Sequence, residues 1–463
     1  MANTDHPSRE PNEALIRIFE ESAASKKSLA HSLNKLCEQA GCPRTYTNTS
    51  ISNWMTRGMI PQPPVPRLLA QVLTARLGRT VSIADIGMSS SGTTHADMGL
   101  EFPREPGDAV RTAAEYWSAV KRRTFTSTTA AFAIAAYATP VTRWLISPAD
   151  QILPTLAGRR VGQADIDELR EIAEDARCWD ARYGGGNWKL SSVNDCLHLR
   201  AAPLLHGSYS EAVGRQLFTV TAELSRLAGW SAFDMGHHDT AQRYFIQGLR
   251  MAKAGADRES GCYVLTTMAL QSLIRGFPNE AIDMAQGAFN SARHVAAERV
   301  LSFAKLAEAR AHAKAGNGPA AERTLRESED LLAAVRNDGS DPAWLEYYTP
   351  ARLASDAVEI YRDLGKPRKA LEWSGHADAM PSGRFTRATG IRLSVASTAH
   401  LQQGDLDRGL EVGHRALAIL GGVESARAHD YLRRFVTDLA PWRNETRVTE
   451  FIQLTPRAVR MST

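Results

Sequence analysis

The chain has 463 residues, of which 43% are hydrophobic and 23% charged, and its formal net charge is +4. These values are ordinary for a globular protein, and they exclude collagen-like, intrinsically disordered and disulfide-scaffold classes. At about 150 residues per domain, the length predicts two to four domains, or one small domain followed by a repeat array. The five cysteines form no C-x-x-C pair, so we expect no metal site and no cofactor.

Neither the polar N-terminal segment nor the longest apolar run, residues 130–138, has the features of a membrane-spanning or secretory segment. We therefore expect a cytoplasmic, nucleoid-associated protein with no membrane partner. Apolar residues recur with helical periodicity, which predicts an all-α fold. The predicted organisation is a DNA-binding domain (1–88), a linker (89–108), a helical connecting region (109–215), a repeat domain (216–440) and a tail (441–463).

Two short helices are predicted between residues 26 and 61. The first carries a stripe of leucines and ends at Gly41, and the second begins near Asn48 or Thr49, where either side chain would cap it, and ends before Gly58. Three apolar residues of the second helix recur at i, i+3 and i+4 and are expected to face inward. They are Ile51, Trp54 and Met55.

The outward face of the second helix carries hydroxyl, amide and guanidinium groups and no acidic side chain. Such groups contact base edges and phosphates, whereas a solvated face more often carries Glu and Lys. We expect the Ser, Thr and Asn side chains to approach bases, and the basic ones to hold phosphates. The predicted DNA-contacting residues are Thr49, Ser50, Ser52, Asn53, Thr56, Arg57, Arg44 and Lys35.

The charge distribution supports a DNA partner. Residues 22–80 contain eight Lys or Arg and one acid, a net charge of +7, which leaves −3 for the rest of the chain. A basic small domain on a mildly acidic body is typical of duplex-binding proteins. The alternative is a small helical dimerisation or packing domain whose charge is incidental.

Five glycines mark an internal repeat, at intervals of 40, 40, 49 and 39 residues. Small residues recur five and twelve positions after each glycine, and a mostly small residue stands seven positions before it. This pattern predicts helical hairpins, each turned by a glycine, that stack as an α-solenoid; a generic Ala-rich bundle is the alternative. The glycines are Gly236, Gly276, Gly316, Gly365 and Gly404, and a degenerate sixth copy is predicted around Gly207 and Ala212.

A stacked array of hairpins lines a concave groove with its first helices. Aromatic anchors with arginines and acids nearby suit a peptide or small-molecule effector. The alternative for any one of these residues is an ordinary surface or inter-repeat position. The predicted groove residues are Glu223, Arg226, Trp230, Asp234, Tyr263, Thr266, Phe303, Arg310, Lys314, Arg352, Glu359 and Arg362.

Three stretches carry a resemblance to known proteins: SISNWMTRGMIPQPPVPRLLAQVLTARLGR, RYGGGNW and LAGWSAFDMGHHDTAQRYFIQGLRMAKAGADRE. The first resembles a lambda-repressor-like helix-turn-helix domain, and the third resembles the tetratricopeptide repeat, although its period exceeds the usual 34 residues. In this order the parts resemble the helix-turn-helix plus tetratricopeptide-repeat transcriptional regulators of actinobacteria, of the NsdA-like type. The architecture is also similar to the peptide-sensing regulators of Gram-positive bacteria.

This resemblance implies a DNA-binding repressor of development or secondary metabolism. We expect a homodimer on a palindromic operator, with a repeat domain that dimerises or senses a signal. Thr49 and Ser50 stand where lambda-like motifs often have Gln, so the bases that are read stay open. We expect no enzyme, because no catalytic constellation is found. The competing function is a protein–protein adaptor whose N-terminal domain docks without binding DNA.

Overall fold

The structure is a computed structural model that describes residues 11–39, 45–61, 65–79, 81–83, 85–88, 98–122, 132–148, 150, 159–183, 187–336, 341–380 and 385–455. Throughout these ranges the regular elements are helices, and the β-structure consists of one isolated bridge between Arg160 and Ser208. The all-α prediction is therefore confirmed. The chain divides into two compact units, with the boundary between Met98 and Gly99.

The first unit is a small helical domain whose described elements are α1 (Glu13–Glu21), α2 (Lys26–Gln39), α3 (Asn48–Thr56) and α4 (Val65–Leu77). Helix α2 packs against both α3 and α4. The predicted inward face of α3 is confirmed, because Ile51, Trp54 and Met55 are all buried. They form one core with Leu29 and Leu33 from the leucine stripe of α2.

The second unit begins with a group of helices that precedes the repeats. They are α5 (Pro106–Arg122), α6 (Ala138–Ile146), α7 (Gln163–Tyr183), α8 (Asn187–Cys196) and α9 (Ala202–Leu205), with a π-helical turn (Leu197–Ala201) between the last two. Helix α7 packs against the first repeat helix, and α5 and α6 pack against the second. Helix α7 also packs against α18, so the connecting region contacts both the first and the last hairpin.

Five helical hairpins follow, each made of two helices that pack closely along their length. Their helices are α10 (Glu211–Asp234) with α11 (His238–Ala254), α12 (Arg258–Ile274) with α13 (Pro278–Ala292), α14 (Glu298–Lys314) with α15 (Gly318–Ala333), α16 (Pro350–Asp363) with α17 (Pro367–His376), and α18 (Thr386–Gln402) with α19 (Leu406–Leu420). This stacking is consistent with an α-solenoid. Two further helices, α20 (Ala426–Asp438) and α21 (Thr446–Leu454), end the array.

All five predicted turn glycines adopt the left-handed conformation, with φ between 64° and 88°. At the second turn, the N–H of Gly276 donates to the carbonyl of Leu273 (3.1 Å) and that of Phe277 donates to Ser272 (2.9 Å). This pattern satisfies carbonyls that the helix end would otherwise leave unpaired. The close helix approach is also present, since a Cβ on Gly229 would lie 2.5 Å from the ring of Phe245.

The predicted linker, 89–108, differs from the structure in its second half; residues 89–97 lie outside the described part. Phe102 is buried, and Arg250 of α11 donates to the carbonyls of Pro103 (2.7 Å) and Arg104 (2.9 Å). Because Arg250 is itself buried, these carbonyls are the acceptors that its guanidinium requires. Residues 99–105 therefore belong to the second unit.

The predicted sixth copy differs from the structure, whereas the predicted tail contains a helix that packs on the array. Gly207 does not have a positive φ, and α10 behind it is already the first helix of the Gly236 hairpin, so this stretch forms no separate copy. The predicted tail contains α21, whose Phe451 is fully buried with its ring 5.3 Å from that of Phe435. The apolar face of α21 completes the core of the last hairpin.

Candidate functional site

The start of α3 is organised by a capping box. The side chain of Thr47 accepts the N–H of Ser50 (3.4 Å), and the side chain of Ser50 accepts the N–H of Thr47 (3.2 Å). The prediction that Asn48 or Thr49 caps this helix is therefore wrong by one or two residues. The hydroxyl of Ser50, which we predicted to approach bases, is engaged at the helix start.

The outer face of α3 carries the remaining predicted contact residues. Thr49, Thr56 and Arg57 are exposed, and Asn53 is half-buried one turn after Thr49. The hydroxyl of Thr56 donates back to the carbonyl of Ser52 (2.9 Å). The side chains of Thr49, Asn53 and Arg57 thus form a polar ridge along α3, without a carboxylate on this helix.

Helix α2 contributes a cation that contacts α3. The ammonium of Lys26 donates a hydrogen bond to the hydroxyl of Ser52 (3.2 Å). Lys35 is exposed on the same helix. Arg76 of α4 is bound to α2 through the hydroxyls of Ser28 (2.6 Å) and Ser32 (3.2 Å). Arg44, the other predicted phosphate contact, lies outside the described residues.

Sequence reasoning missed the residue that holds α2 and α3 in register. The amide of Asn34 donates to the carbonyl of Tyr46 and accepts its N–H, both at 2.8 Å. The ring of Tyr46 in turn lies 5.3 Å from that of Trp54 on α3. A half-buried Asn in an apolar helix face was the signal for this clamp, since a buried amide requires backbone partners.

The second unit contains a cavity of about 590 Å³. The first helices of all five hairpins line it, as predicted for the groove, but three further elements close it: α7, α20 and the 3₁₀ turn Ala343–Leu345 with the residues after it. This turn lies in the 49-residue glycine interval, which is longer than the others. The longer interval was the sequence signal that an additional segment lines the cavity, and we did not predict this segment.

Seven of the twelve predicted groove residues line this cavity. They are Arg226, Trp230, Tyr263, Phe303, Arg310, Arg352 and Glu359. Lys314 instead borders a smaller neighbouring pocket, and the hydroxyl of buried Thr266 donates to the carbonyl of Cys262 (2.8 Å). Glu223 is not in the lining, but it pairs with Arg177 of α7, which is.

The other two predicted residues are structural. Arg362 is almost fully buried and binds the side chains of Glu359 (3.3 Å) and Asp363 (2.8 Å). Asp234 has no exposed surface and accepts hydrogen bonds from Arg387 (2.8 Å) and Arg427 (3.0 Å). Both residues lie on first helices of hairpins, as their spacing predicted. They do not line the cavity, because each is buried in ion pairs.

An ion cluster forms one wall of the cavity. Arg310 binds Asp356 (3.1 Å) and Glu359 (2.6 Å), and the hydroxyl of Tyr431 donates to Glu359 (2.9 Å). Burial opposes ionisation of Glu359, but the charges of Arg310 and Arg362 lower its pKa to about 2. The cluster therefore stays charged and internally neutralised at neutral pH.

Another part of the cavity wall is aromatic. It carries Arg226, which, unlike Arg310, is not paired with a carboxylate of the described residues. The rings of Tyr263 and Trp344 stack with centroids 4.6 Å apart, and Phe303 lies 5.6 Å from Tyr263. The guanidinium carbon of Arg226 stands 4.5 Å from the centre of the Tyr263 ring. Among the described residues, Arg226 has no hydrogen-bond or ion-pair partner, although it is 5% exposed.

The described ranges contain no group of three or more His, Cys, Asp or Glu placed to hold a metal ion, so His237, His238 and Asp239 form no such group. No helix in the same ranges is long and apolar enough to cross a bilayer.

A family model for the SP15 N-terminal domain matches residues 15–89, a span that begins within α1 and contains α2, α3 and α4. No curated protein matches the chain. The match covers a minor part of the sequence and does not extend into the hairpin array.

Proposed function

We propose that the protein is a sequence-specific transcriptional regulator of the helix-turn-helix plus tetratricopeptide-repeat type, whose second unit takes up a signal molecule. The observation that carries the proposal is the outer ridge of α3: Thr49, Asn53 and Arg57 form a polar surface without a carboxylate. Amide and guanidinium groups on an exposed helix match the donor and acceptor pattern of the major groove.

The surroundings of the ridge support the same function. Lys35 is exposed on α2, and the window 22–80 carries a net charge of +7. Cations placed around a polar helix hold phosphates and orient the helix in the groove. In this proposal Asn53 and Thr49 read bases, while Arg57 and Lys35 bind phosphates, and the protein acts as a homodimeric repressor at the nucleoid.

The direct test is selection of duplexes from a random pool by the full chain. Wild-type protein is expected to enrich one motif, and the double variant Asn53→Ala, Arg57→Ala is expected to enrich none while its helicity stays unchanged. Arg79→Ala is the charge-matched control, because Arg79 is exposed but pairs with Glu21 away from α3. Equal enrichment by the double variant would disprove the proposal.

Salt dependence separates this function from the adaptor alternative. Affinity for duplex DNA should fall linearly with the logarithm of salt concentration, by a slope of about 0.9 per phosphate contact. Lys35→Gln is expected to weaken binding to all sequences and to reduce that slope by about 0.9. An adaptor would show no duplex binding with this dependence.

A further inference from the structure

We propose that the cavity of the second unit binds a small organic monocarboxylate with a flat aromatic ring, and that Arg226 binds its carboxylate. This monocarboxylate would be the signal molecule of the proposed function. Only an effect of the ligand on DNA binding would rest on that function. The ligand site itself is argued from the cavity alone.

Arg226 carries a buried charge that has no partner among the described residues. The side chain is 95% buried, and its Nε atom has no hydrogen-bond partner among the described residues. A buried guanidinium without an acceptor is strongly unfavourable, so such a group is retained where a ligand supplies the acceptor. Arg226 lines the cavity, and its guanidinium carbon stands over the ring of Tyr263, which also lines it.

The other arginines of the lining are already paired with carboxylates. Seven arginines and five carboxylates of the described residues line the cavity. Arg310, Arg352 and Arg387 each bind a carboxylate, and the same holds for Arg177, Arg392 and Arg427. Arg226 is the one arginine of this lining without a carboxylate partner among the described residues, and a single ligand carboxylate would supply the missing acceptor.

The shape and composition of the cavity favour a flat aromatic ligand. Rings of Tyr263, Trp344, Trp230 and Phe303 line the cavity beside Arg226. Aromatic walls contact flat apolar rings efficiently, and about 590 Å³ lies within the usual range for small-molecule sites. Helices α7 and α20 and the 3₁₀ turn close the groove, so the space fits a small molecule better than an extended peptide.

The test is ligand-observed NMR of the full chain with matched probes: naphthalene-1-acetate and indole-3-acetate, each compared with its neutral amide. We expect both acids to bind at millimolar concentration and each amide to bind about tenfold more weakly, because the amide cannot neutralise Arg226. Absence of acid binding, or equal binding of the amides, would overturn the proposal.

Variants locate the site. Arg226→Met should abolish the preference for acids, whereas Arg215→Met, on the same helix but exposed and paired with Glu211, should leave it unchanged. Trp344→Leu should weaken acids and amides equally, since it removes a ring wall and no charge. Unchanged acid preference in Arg226→Met would contradict the proposal.

Stability provides a second readout. Removing an unpaired buried charge should leave the Tm of the ligand-free protein unchanged or raise it, although the acid then binds no more tightly than its amide. Should Arg226→Met fail to fold, Arg226→Lys carries the test, because it keeps the charge and should keep the acid preference with lower affinity. These measurements contain no DNA, so their failure leaves the duplex selection above unaffected, and the reverse is also true.

Discussion

Arg387 on α18 donates a hydrogen bond of 2.8 Å to Asp234 on α10, although 153 residues separate them in the chain. Asp234 also accepts from Arg427 of α20, and Arg387 also binds Asp180 of α7. The buried carboxylate of Asp234 thus connects α10, the first helix of the first hairpin, to α18 of the last hairpin and to α20. This connection closes the wall of the cavity.

Replacing Asp234 should therefore destabilise the second unit. We expect Asp234→Asn to lower the free energy of unfolding by about 3 kcal/mol, because two buried arginines lose an anionic acceptor. Urea denaturation of the full chain measures this loss. The control is Glu411→Gln, which breaks an exposed pair with Arg408 and should cost less than about 1 kcal/mol. Equal effects would show that the Asp234 pairs contribute little.

The hairpin turns should be sensitive to backbone conformation rather than to space. Gly276 has φ of +88°, and a Cβ there would meet nothing within 4 Å. We expect Gly276→Ala to lower stability by about 1 kcal/mol through left-handed strain alone. Gly375→Ala is the matched control, since Gly375 lies within α17, has equal space and no positive φ, and should be neutral or stabilising. A stabilising Gly276→Ala would contradict this account.

The capping box of α3 predicts separate effects on stability and on DNA binding. Ser50→Ala should destabilise the first unit by about 1 kcal/mol, because it removes the acceptor for the N–H of Thr47. Ser50→Glu should restore the cap, since Glu is a standard residue at this position, but should weaken duplex binding by its negative charge. Thermal unfolding and duplex titration of the two variants check both effects. If Ser50→Ala removes sequence preference without loss of stability, Ser50 reads bases instead.

His238 should make stability depend on pH. Burial, and after it the charge of Arg275, lower the pKa of His238 to about 4. The carboxylates of Asp430 and Asp239 act to raise this pKa, and His237 acts to lower it. Its Nδ1 atom is buried without an acceptor among the described residues. The folded state therefore favours neutral His238, so its contribution is complete above pH 6.5 and is lost as the pH falls from 6.5 towards 4.

In the variant His238→Gln this pH-dependent loss should be absent, as measured by urea denaturation at several pH values between 6.5 and 4. The control is His294→Gln, because His294 is exposed at the end of the second hairpin. An identical pH profile for wild type and His238→Gln would show that another group causes the loss.

Local patterns predicted the elements well where one physical rule decides the conformation. The glycine spacing identified all five left-handed turns, because few residues other than glycine adopt that conformation. The apolar spacing identified the buried face of α3. The helix start was displaced, since Thr47, Asn48 and Thr49 are all capping residues and the choice depends on Ser50. The clamp joins Asn34 to Tyr46, twelve positions away. A local pattern could indicate that Asn34 needs backbone partners, but it could not identify Tyr46 as that partner.

The sequence by itself determined an all-helical chain, a basic first unit and the positions of five hairpin turns, because helix periodicity, charge and glycine conformation are local properties. Only the tertiary structure decided which of the predicted groove positions line the cavity. Asp234 and Arg226 are two turns apart on the same helix, yet Asp234 is enclosed by arginines of α18 and α20, whereas Arg226 lines the cavity without an acid. That difference arises from helices distant in sequence, whose packing sets the partner and the burial of each charge.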